Sequence, residues 1–552
     1  MMLTMQVSDI PHSLGTVLRN RFVWFYGFLA LVITLVFTAL VPFHQDEFIH
    51  YIFIRCAQHP YLQMFVQEDC TGFWHLNFLN TGLLLPLRAY WYAGSIPALF
   101  YYPLYLVWTS PTSARLLGVL WLLVQAGILS KVFRMRFSSV FAGLVLFFPY
   151  FFQHIVDTGP VAIQITSVYL LYVIFLLWVE TERVRYALYT ALVIFVCVWT
   201  KLVYLWLFPG IAVLFILAVQ EKRSKPQRVS LPLLKQIGIS IAVATGLLSL
   251  LFLSTDPFIP GKFVYMSTLL QGDSYSLSEI LRQFWSLDAV RLLFNPLEAS
   301  HRIFHVGPTG LFAYIYDVLT FGTLPVALFV MSLLKKKELS SVIRTSAVLY
   351  GLFLLTFFFT LRTKEVWAMH HVILSFSFLV LAYAVLCSEW KTIAAIRFGA
   401  VRVSSVVTCI VSVWVVLNVV WFSTFYRQPV RTMADVSRNS IHHILNDPYL
   451  AKHYIYISLE NGLYFYQALY GHKDQSITFK NPLTEEWQIR QIQDLGRQTG
   501  RKILFVYDTV DTYSDYELIH RNFRTVPCKA TDPKWVWQIF LEDDGNSENI
   551  CL

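Results

Sequence analysis

The chain reads as an α-helical polytopic membrane protein of about eleven transmembrane helices. Membrane-lying helices are expected in its first outer loop, and a small C-terminal α/β domain on the outer face. Three observations predict this. Of the 552 residues, 56% are hydrophobic and 14% charged, whereas a soluble domain carries about 25% charged residues; one aqueous core cannot hide so much apolar surface. Aromatic residues reach 16%, as expected where Trp and Tyr line bilayer interfaces. Apolar stretches approaching the ~20 residues that cross a bilayer recur between 23 and 424 and then stop.

Residues 1–22 form an N-terminal segment, and the first span, 23–42, lacks a small-residue cleavage site, so it reads as an uncleaved signal anchor. The outer loop 43–113 follows. Within it, 96–109 is too short to span and is interrupted by Pro97 and Pro103, which suits a re-entrant or interfacial helix. Further spans are expected near 114–133, 138–156, 160–179, 186–200, 203–219, 236–254, 310–333, 345–361, 366–388 and 403–424. The loop 255–309 holds Ser276-Leu-Ser-Glu279, a capping-box pattern. Leu277, Ile280, Leu281, Phe284 and Leu287 recur there at helical spacing, fitting a helix on the membrane surface or one packed on protein. Beyond 424 polar residues rise. Tyr454-Ile-Tyr-Ile-Ser458 and Ile503-Leu-Phe-Val-Tyr507 read as buried strands, and Glu485 to Gln498 as a helix. The domains expected are therefore 1–22, 23–424 and 425–552.

Charge sets the topology. The net charge of +9 sits in short loops, which argues for the positive-inside rule and against nucleic-acid binding. Lys131, Arg134 and Arg136; Arg183 and Arg185; Lys222, Arg223, Lys225 and Arg228; Lys335, Lys336, Lys337 and Arg344; and Lys391 and Arg397 all fall on one side only if 96–109 does not cross. That side, with Arg19 and Arg21, is the cytoplasm, leaving 43–113, 255–309 and the C-terminal domain outside. Cys197, Cys387 and Cys409 lie in apolar segments and read as packing residues. Cys56, Cys70, Cys528 and Cys551 fall outside, where a disulfide is chemically permitted, and no spacing matches a metal site.

The chemistry-bearing residues gather at the outer ends of the spans. Asp46-Glu47 stands just past the first span, in Val41-Pro-Phe-His-Gln-Asp-Glu47. Intramembrane carboxylates are costly and usually functional, although a helix-terminal charge pair is an equal reading of these two. Adjacent residues on a helix point about 100° apart, so they do not act as one acid–base pair. Arg115 opens the second span, Asp157 closes the third, Lys201 lies between the fifth and sixth, and Arg362, Lys364, Glu365, His370 and His371 lie between the ninth and tenth. Each alone reads as an interfacial anchor; together they would suit an anionic lipid headgroup. His44, His50, His370 and His371 have no recognised metal spacing.

In this order the motifs resemble the GT-C superfamily of integral-membrane glycosyltransferases, which use polyprenyl- or dolichyl-phosphate sugars. The matching features are the acidic motif His44-Gln-Asp-Glu47 after the first span and short helices at Glu47–Gln58 and Ala89–Trp108. Ser113-Ala-Arg-Leu-Leu-Gly118 opens the second span, Asp157 follows the third, Thr200-Lys201 precedes the sixth, and an outer domain ends the chain. There is no Trp-Trp-Asp motif of oligosaccharyltransferases. The resemblance implies transfer of a hexosyl or pentosyl group, with inversion, to an acceptor hydroxyl on a glycan, lipid or protein. It implies Asp46 as general base with Glu47 in reserve, and Lys201, Arg362, Arg115 and Lys364 on the lipid phosphate. Asp157, His44 and His371 would take acceptor or sugar hydroxyls. No cofactor is required, and Asp46 with Asp157 would also suit a divalent ion such as magnesium or manganese.

The rival is a transporter or flippase for a lipid-linked or anionic substrate, but no internal repeat is present and the ionisable residues cluster at one face. Short loops and a compact C-terminal domain favour a bacterial inner membrane, with that domain periplasmic, over the endoplasmic reticulum. Partners are then the lipid-linked sugar, its acceptor and membrane lipids, in the service of cell-envelope glycan biosynthesis.

Overall fold

In the computed structural model the chain forms two compact units: Met1–Val41 with Ala114–Pro429, and Pro42–Ser113 with Val430–Leu552. The structure describes residues 74–77, 84–88, 96–108, 111–147, 160–222, 231–255, 323–333, 337–360, 373–398, 401–410, 447–458, 476–479, 486–508, 513–527 and 537–543, with isolated positions at 25–35, 94, 150–155, 278, 319–322 and 412–417. The expected helix Glu47–Gln58, and all but Ser278 of the expected helix at 277–287, lie outside the described residues.

Pro42–Ser113 contains a hairpin that the sequence did not announce, β1 (Trp74–Asn77) against β2 (Leu84–Arg88). It is followed by α1 (Ile96–Val107). At 12 residues this helix is about 18 Å long, too short to span alone, as expected. It runs through Pro103 without ending, and Ala89–Ala93 of the expected helix Ala89–Trp108 lie outside the described residues. Pro97 stands in the first turn, where no amide donor is needed.

The first unit is built of apolar helices. They are α2 (Pro111–Val132), α3 (Phe137–Leu146), α4 (Pro160–Thr181), α5 (Val184–Thr200), a 3-10 turn at Leu202–Leu207, α6 (Phe208–Lys222), α7 (Leu231–Thr255), α8 (Thr323–Leu333), α9 (Lys337–Thr360), α10 (Phe376–Ser388) and α11 (Trp390–Ala394). A two-residue hairpin, β3 (Arg397–Phe398) with β4 (Val401–Arg402), follows α11. Among the described residues five stretches are long and apolar enough to cross a membrane: Arg115–Val132, Pro160–Thr181, Leu202–Glu221, Leu231–Leu251 and Leu339–Phe357. Leu250, Val326 and Phe329 remain more than 60% exposed, as apolar side chains do when the solvent is lipid. The fold is that of a multi-pass membrane protein.

The expected span 138–156 is one place where the outcome differs. α3 stops at Leu146, and Phe147 leaves helical geometry at φ −78°, ψ 77°. Pro149, two residues on, is a reason in the sequence, since a proline inside a continuous helix clashes with the carbonyl four residues before it. Of the three described cysteines Cys197 is buried, whereas Cys387 and Cys409, expected to pack inside, are exposed. A lipid-facing position accepts a small apolar thiol as readily as a core does.

α4 is the hub. Nearly all its residues from Pro160 to Val179 are buried, because it is apolar on every face and lies against α5, α6 and α10. α9 packs along α10, and α5 along α7. The end of α4 is tied by Tyr172 OH donating to Glu221 at 2.9 Å and Trp178 Nε1 donating to Gln236 Oε1 at 2.6 Å. Gln236 Nε2 in turn donates to the Glu182 carbonyl at 2.7 Å. Glu182 takes a left-handed φ of 47°, which turns the chain straight from α4 into α5. α6 meets Phe378 of α10 at Gly210, where a β-carbon would collide with the buried ring.

Val430–Leu552 contains α12 (Pro448–His453), β5 (Tyr454–Ser458), β6 (Ser476–Phe479), α13 (Glu486–Thr499), β7 (Lys502–Asp508), α14 (Tyr513–Asn522), β8 (Thr525–Pro527) and β9 (Trp537–Glu542). The mixed sheet runs β6-β5-β7-β9-β8, with β5 parallel to β6 and β7, and β9 antiparallel to β7 and β8. The two expected strands and the expected helix are present as β5, β7 and α13. Ile489 and Ile492 of α13 with Ile519 and Phe523 of α14 cover Ile455, Ile457, Ile503 and Phe505. Tyr454, Tyr456, Leu504, Val506, Ile539 and Leu541, on the other face, are equally buried. Asp447 caps α12 by accepting from the Tyr449 and Leu450 amides at 2.8 and 3.0 Å. Gly500, at φ 65°, ends α13 in a conformation that favours glycine. Burial, with the Asp447 charge adding, pushes the Tyr456 hydroxyl well above the ordinary tyrosine range.

Two outcomes follow. Gly210→Ala is expected to destabilise the helical unit by about 1–3 kcal/mol through overpacking against Phe378, read as a lower melting temperature in detergent. His520 Nδ1 lies 2.7 Å from Thr525 Oγ1 and its ring meets the Phe540 edge at 4.8 Å. Burial holds its pKa below the ordinary histidine value. A lowered folded-state pKa contributes stability at neutral pH that is lost as pH falls through the unfolded value of about 6.5. Amide exchange in 537–542, corrected for intrinsic rates, is therefore expected to quicken below that pH, and less so in His520→Gln.

Candidate functional site

Of the residues expected to carry chemistry, His44, Asp46, Glu47, Asp157, Arg362, Lys364 and His371 lie outside the described residues, as do His50, Glu365 and His370. Arg115 and Lys201 are described. Arg115 is the fifth residue of α2 and is completely buried, as is Ser113 near it at 1% exposure. A guanidinium does not lose its charge in a protein, and a buried charge is tolerated only with acceptors around it. An anchor that merely snorkelled to an interface would keep its head in water. Arg115 does not.

Lys201 stands at a break. α5 ends at Thr200, Lys201 takes an extended backbone at φ −162°, ψ 131°, and the 3-10 turn begins at Leu202. The last turn of α5 is closed by Lys201 N–H on the Cys197 carbonyl at 3.2 Å and by Thr200 Oγ1 on the Val196 carbonyl at 2.7 Å. The 3-10 turn opens with Tyr204 N–H on the Lys201 carbonyl at 3.1 Å. Gln164 of α4 reaches both sides, its Nε2 donating to the Cys197 carbonyl at 3.0 Å and to the Lys201 carbonyl at 2.8 Å. One turn on, Ser167 Oγ donates to the Gln164 carbonyl at 2.6 Å and lies 2.7 Å from Tyr204 OH. The serine proton is committed, so the tyrosine is the donor of that second bond.

Just inside this break is a buried polar cluster that sequence reasoning missed. Gln125 Nε2 of α2 lies 2.9 Å from His154 Nε2 and 2.8 Å from Thr166 Oγ1, while Tyr150 OH donates to Gln125 Oε1 at 2.6 Å. Tyr150 OH also meets Tyr169 OH at 2.8 Å, His154 Nδ1 meets the Tyr150 carbonyl at 2.7 Å, and Thr166 Oγ1 donates to the Ala162 carbonyl at 2.6 Å. The assignments close on themselves. Thr166 has spent its proton, so Gln125 donates to it and to His154 Nε2. His154 is then the neutral tautomer with its proton on Nδ1. Tyr150 has also spent its proton, so Tyr169 donates to Tyr150. The cluster carries no charge and fixes geometry. Its signal in the sequence was Gln125 and Gln164 inside apolar spans and His154 one turn before Asp157.

α4 thus receives α2 through Thr166 and the α5 break through Gln164, two residues apart. Arg115 lies ten residues, or about 15 Å of helix, from Gln125. The two described cations are carried by elements fastened to the same end of α4. Among the described residues no three His, Cys, Asp or Glu side chains come together as metal ligands; Asp46 and Asp157, the pair named for a divalent ion, lie outside them.

Gln125→Leu is expected to cost about 2–4 kcal/mol, since it strands the buried acceptor or donor groups of His154, Thr166 and Tyr150. Adding His154→Phe is expected to recover part of that loss, giving a favourable coupling of about 1–2 kcal/mol in a double-mutant cycle of detergent melting. No protein-family model matches this chain, and no curated protein matches it, so it stands as a multi-helix protein with several long apolar helices and without a family assignment.

Proposed function

We propose that this chain is a membrane-embedded glycosyltransferase of the GT-C type. It takes a sugar from a polyprenyl-phosphate donor and transfers it, with inversion, to an acceptor hydroxyl on the outer face of the membrane. The observation that carries the reading is Arg115, a completely buried guanidinium five residues into an apolar helix long enough to span. A charge kept there is expensive, and an ionisable residue inside an apolar span is by default a functional-site hypothesis. A phosphate between a polyprenyl chain and a sugar is an anion that reaches the membrane in this way. The half-buried Lys201 at the α5 break adds a second cation on an element fastened to α4.

In this reading the acceptor oxygen attacks the anomeric carbon while Asp46 takes its proton. The C1–O bond to the phosphate breaks through an oxocarbenium-like transition state. The lipid phosphate departs as an anion, held by Lys201, Arg115, Arg362 and Lys364. Glu47 is the alternative base, and Asp157, His44 and His371 hold sugar or acceptor hydroxyls. The leaving group needs cations more than an acid, and the reading gives it four.

The test is transfer of radiolabelled sugar from polyprenyl-phosphate donors by purified wild type and Asp46→Asn. Wild-type transfer that falls by at least about 100-fold in Asp46→Asn, with melting temperature unchanged, is the expected result. Transfer that survives the substitution moves the base to Glu47. If no donor is consumed and the lipid instead crosses the bilayer of proteoliposomes, the protein is a flippase and the enzymatic reading is wrong.

A further inference from the structure

We infer that Gln164 is the positioning residue of Lys201: its amide clamps the backbone on both sides of the α5 break and so fixes where the Lys201 ammonium is presented to a phosphate. The inference rests on the reading of Lys201 as a phosphate-holding cation and adds the device that aims it.

The clamp is made by one nitrogen. Gln164 Nε2 has two protons, and both go to backbone oxygens that flank the break, 3.0 Å to Cys197 and 2.8 Å to Lys201. Gln164 is fully buried, so no water competes for them. Its Oε1 is buried too and has no hydrogen-bond partner among the described residues. A buried acceptor left unpaired is a cost, and the side chain bears it while spending its whole donor capacity on the break. Ser167 and Tyr204 tie the same two elements a turn further on, through the Gln164 carbonyl.

What the clamp prevents follows from backbone physics. In an apolar surround every carbonyl seeks a donor. Without Gln164, the Lys201 carbonyl loses its 2.8 Å donor. The cheapest remedy is for α5 to continue through Lys201. That takes Lys201 from φ −162°, ψ 131° to helical values near −63° and −42°. The peptide plane turns over and the side chain is re-aimed. A glutamine that served only to stabilise the bundle would matter equally whether or not Lys201 carried a charge. One that aims the ammonium matters only while the ammonium is there.

Full-length protein in detergent, with Gln164→Met, Lys201→Met and the double variant, is titrated with decaprenyl phosphate, decaprenol and inorganic phosphate, following binding by thermal shift. The wild type is expected to prefer the lipid phosphate to the alcohol, Lys201→Met to lose that preference, and Gln164→Met to weaken phosphate binding by about tenfold. The double variant should bind no more weakly than Lys201→Met, the signature of full coupling. Inorganic phosphate that competes with the same dependence on both residues would support the clamp with free phosphate as the ligand. Should Gln164→Met unfold, Gln164→Asn keeps the amide but is one methylene too short to span both carbonyls, and is expected to give the same coupled loss in smaller measure. Equal weakening by the Gln164 change in the wild-type and Lys201→Met backgrounds would overturn the clamp and leave the phosphate role of Lys201 standing. A Lys201→Met variant that binds the lipid phosphate as the wild type does would remove that role, and the clamp with it.

Discussion

Polar groups inside an apolar helix bundle have to find partners within the protein, and α4 is where this chain meets that demand. A helix with lipid-like surroundings on all sides cannot leave a donor or acceptor to water. α4 carries Gln164, Thr166, Ser167, Tyr169, Tyr172 and Trp178 along its length, and each is answered by a different neighbour. α2, the Tyr150–His154 segment, the α5 break, α6 and α7 are all registered against the one helix by these bonds. Dispersion and shape hold the helices together; the hydrogen bonds decide which turn faces which. Elsewhere packing contributes, as at the Gly210–Phe378 contact, and Ser346 Oγ of α9 donates to the Ala382 carbonyl of α10 at 2.9 Å.

The same frame explains why the candidate site has its form. Charges are tolerated at the ends of spans, and Arg115 and Lys201 stand near such ends, one five residues into α2 and one where α5 breaks. The break at Lys201 is not a weakness in the helix. It is stabilised from α4, and it releases a residue from helical geometry at the point where the proposed chemistry wants a cation. The uncharged cluster of Gln125, His154, Tyr150, Tyr169 and Thr166 fixes α2 against α4 and adds no charge that would compete for a phosphate.

In the second unit the constraint is a sheet with two faces to cover. Two helices close one face of a mixed sheet and the other face is buried as well. The strands readable in advance, β5 and β7, are the central ones, buried on both sides and therefore continuously apolar. β6 has four residues and β8 three, too short to show a pattern, and in β9 the apolar run is only Ile539-Phe-Leu541, between Gln538 and Glu542. β1 and β2 escaped for a similar reason: Leu84-Leu-Pro-Leu-Arg88 contains a proline that argues against a strand except at an edge.

By itself the sequence determined that this is a multi-pass membrane protein with a C-terminal α/β unit. Those properties are sums over many residues: apolar length, aromatic share and the siting of Lys and Arg. It also singled out Arg115 and Lys201, because a charge in an apolar context is visible at one position. Only the tertiary structure decided that Arg115 is buried rather than snorkelling, that Lys201 sits in an extended break, and that Gln164 and Gln125 are the residues holding α5 and α2 to α4. Those facts are pairings between residues 29 to 41 positions apart. A glutamine in an apolar run announces that it needs a partner; which partner it finds depends on how the helices turn toward one another, and that is settled by packing.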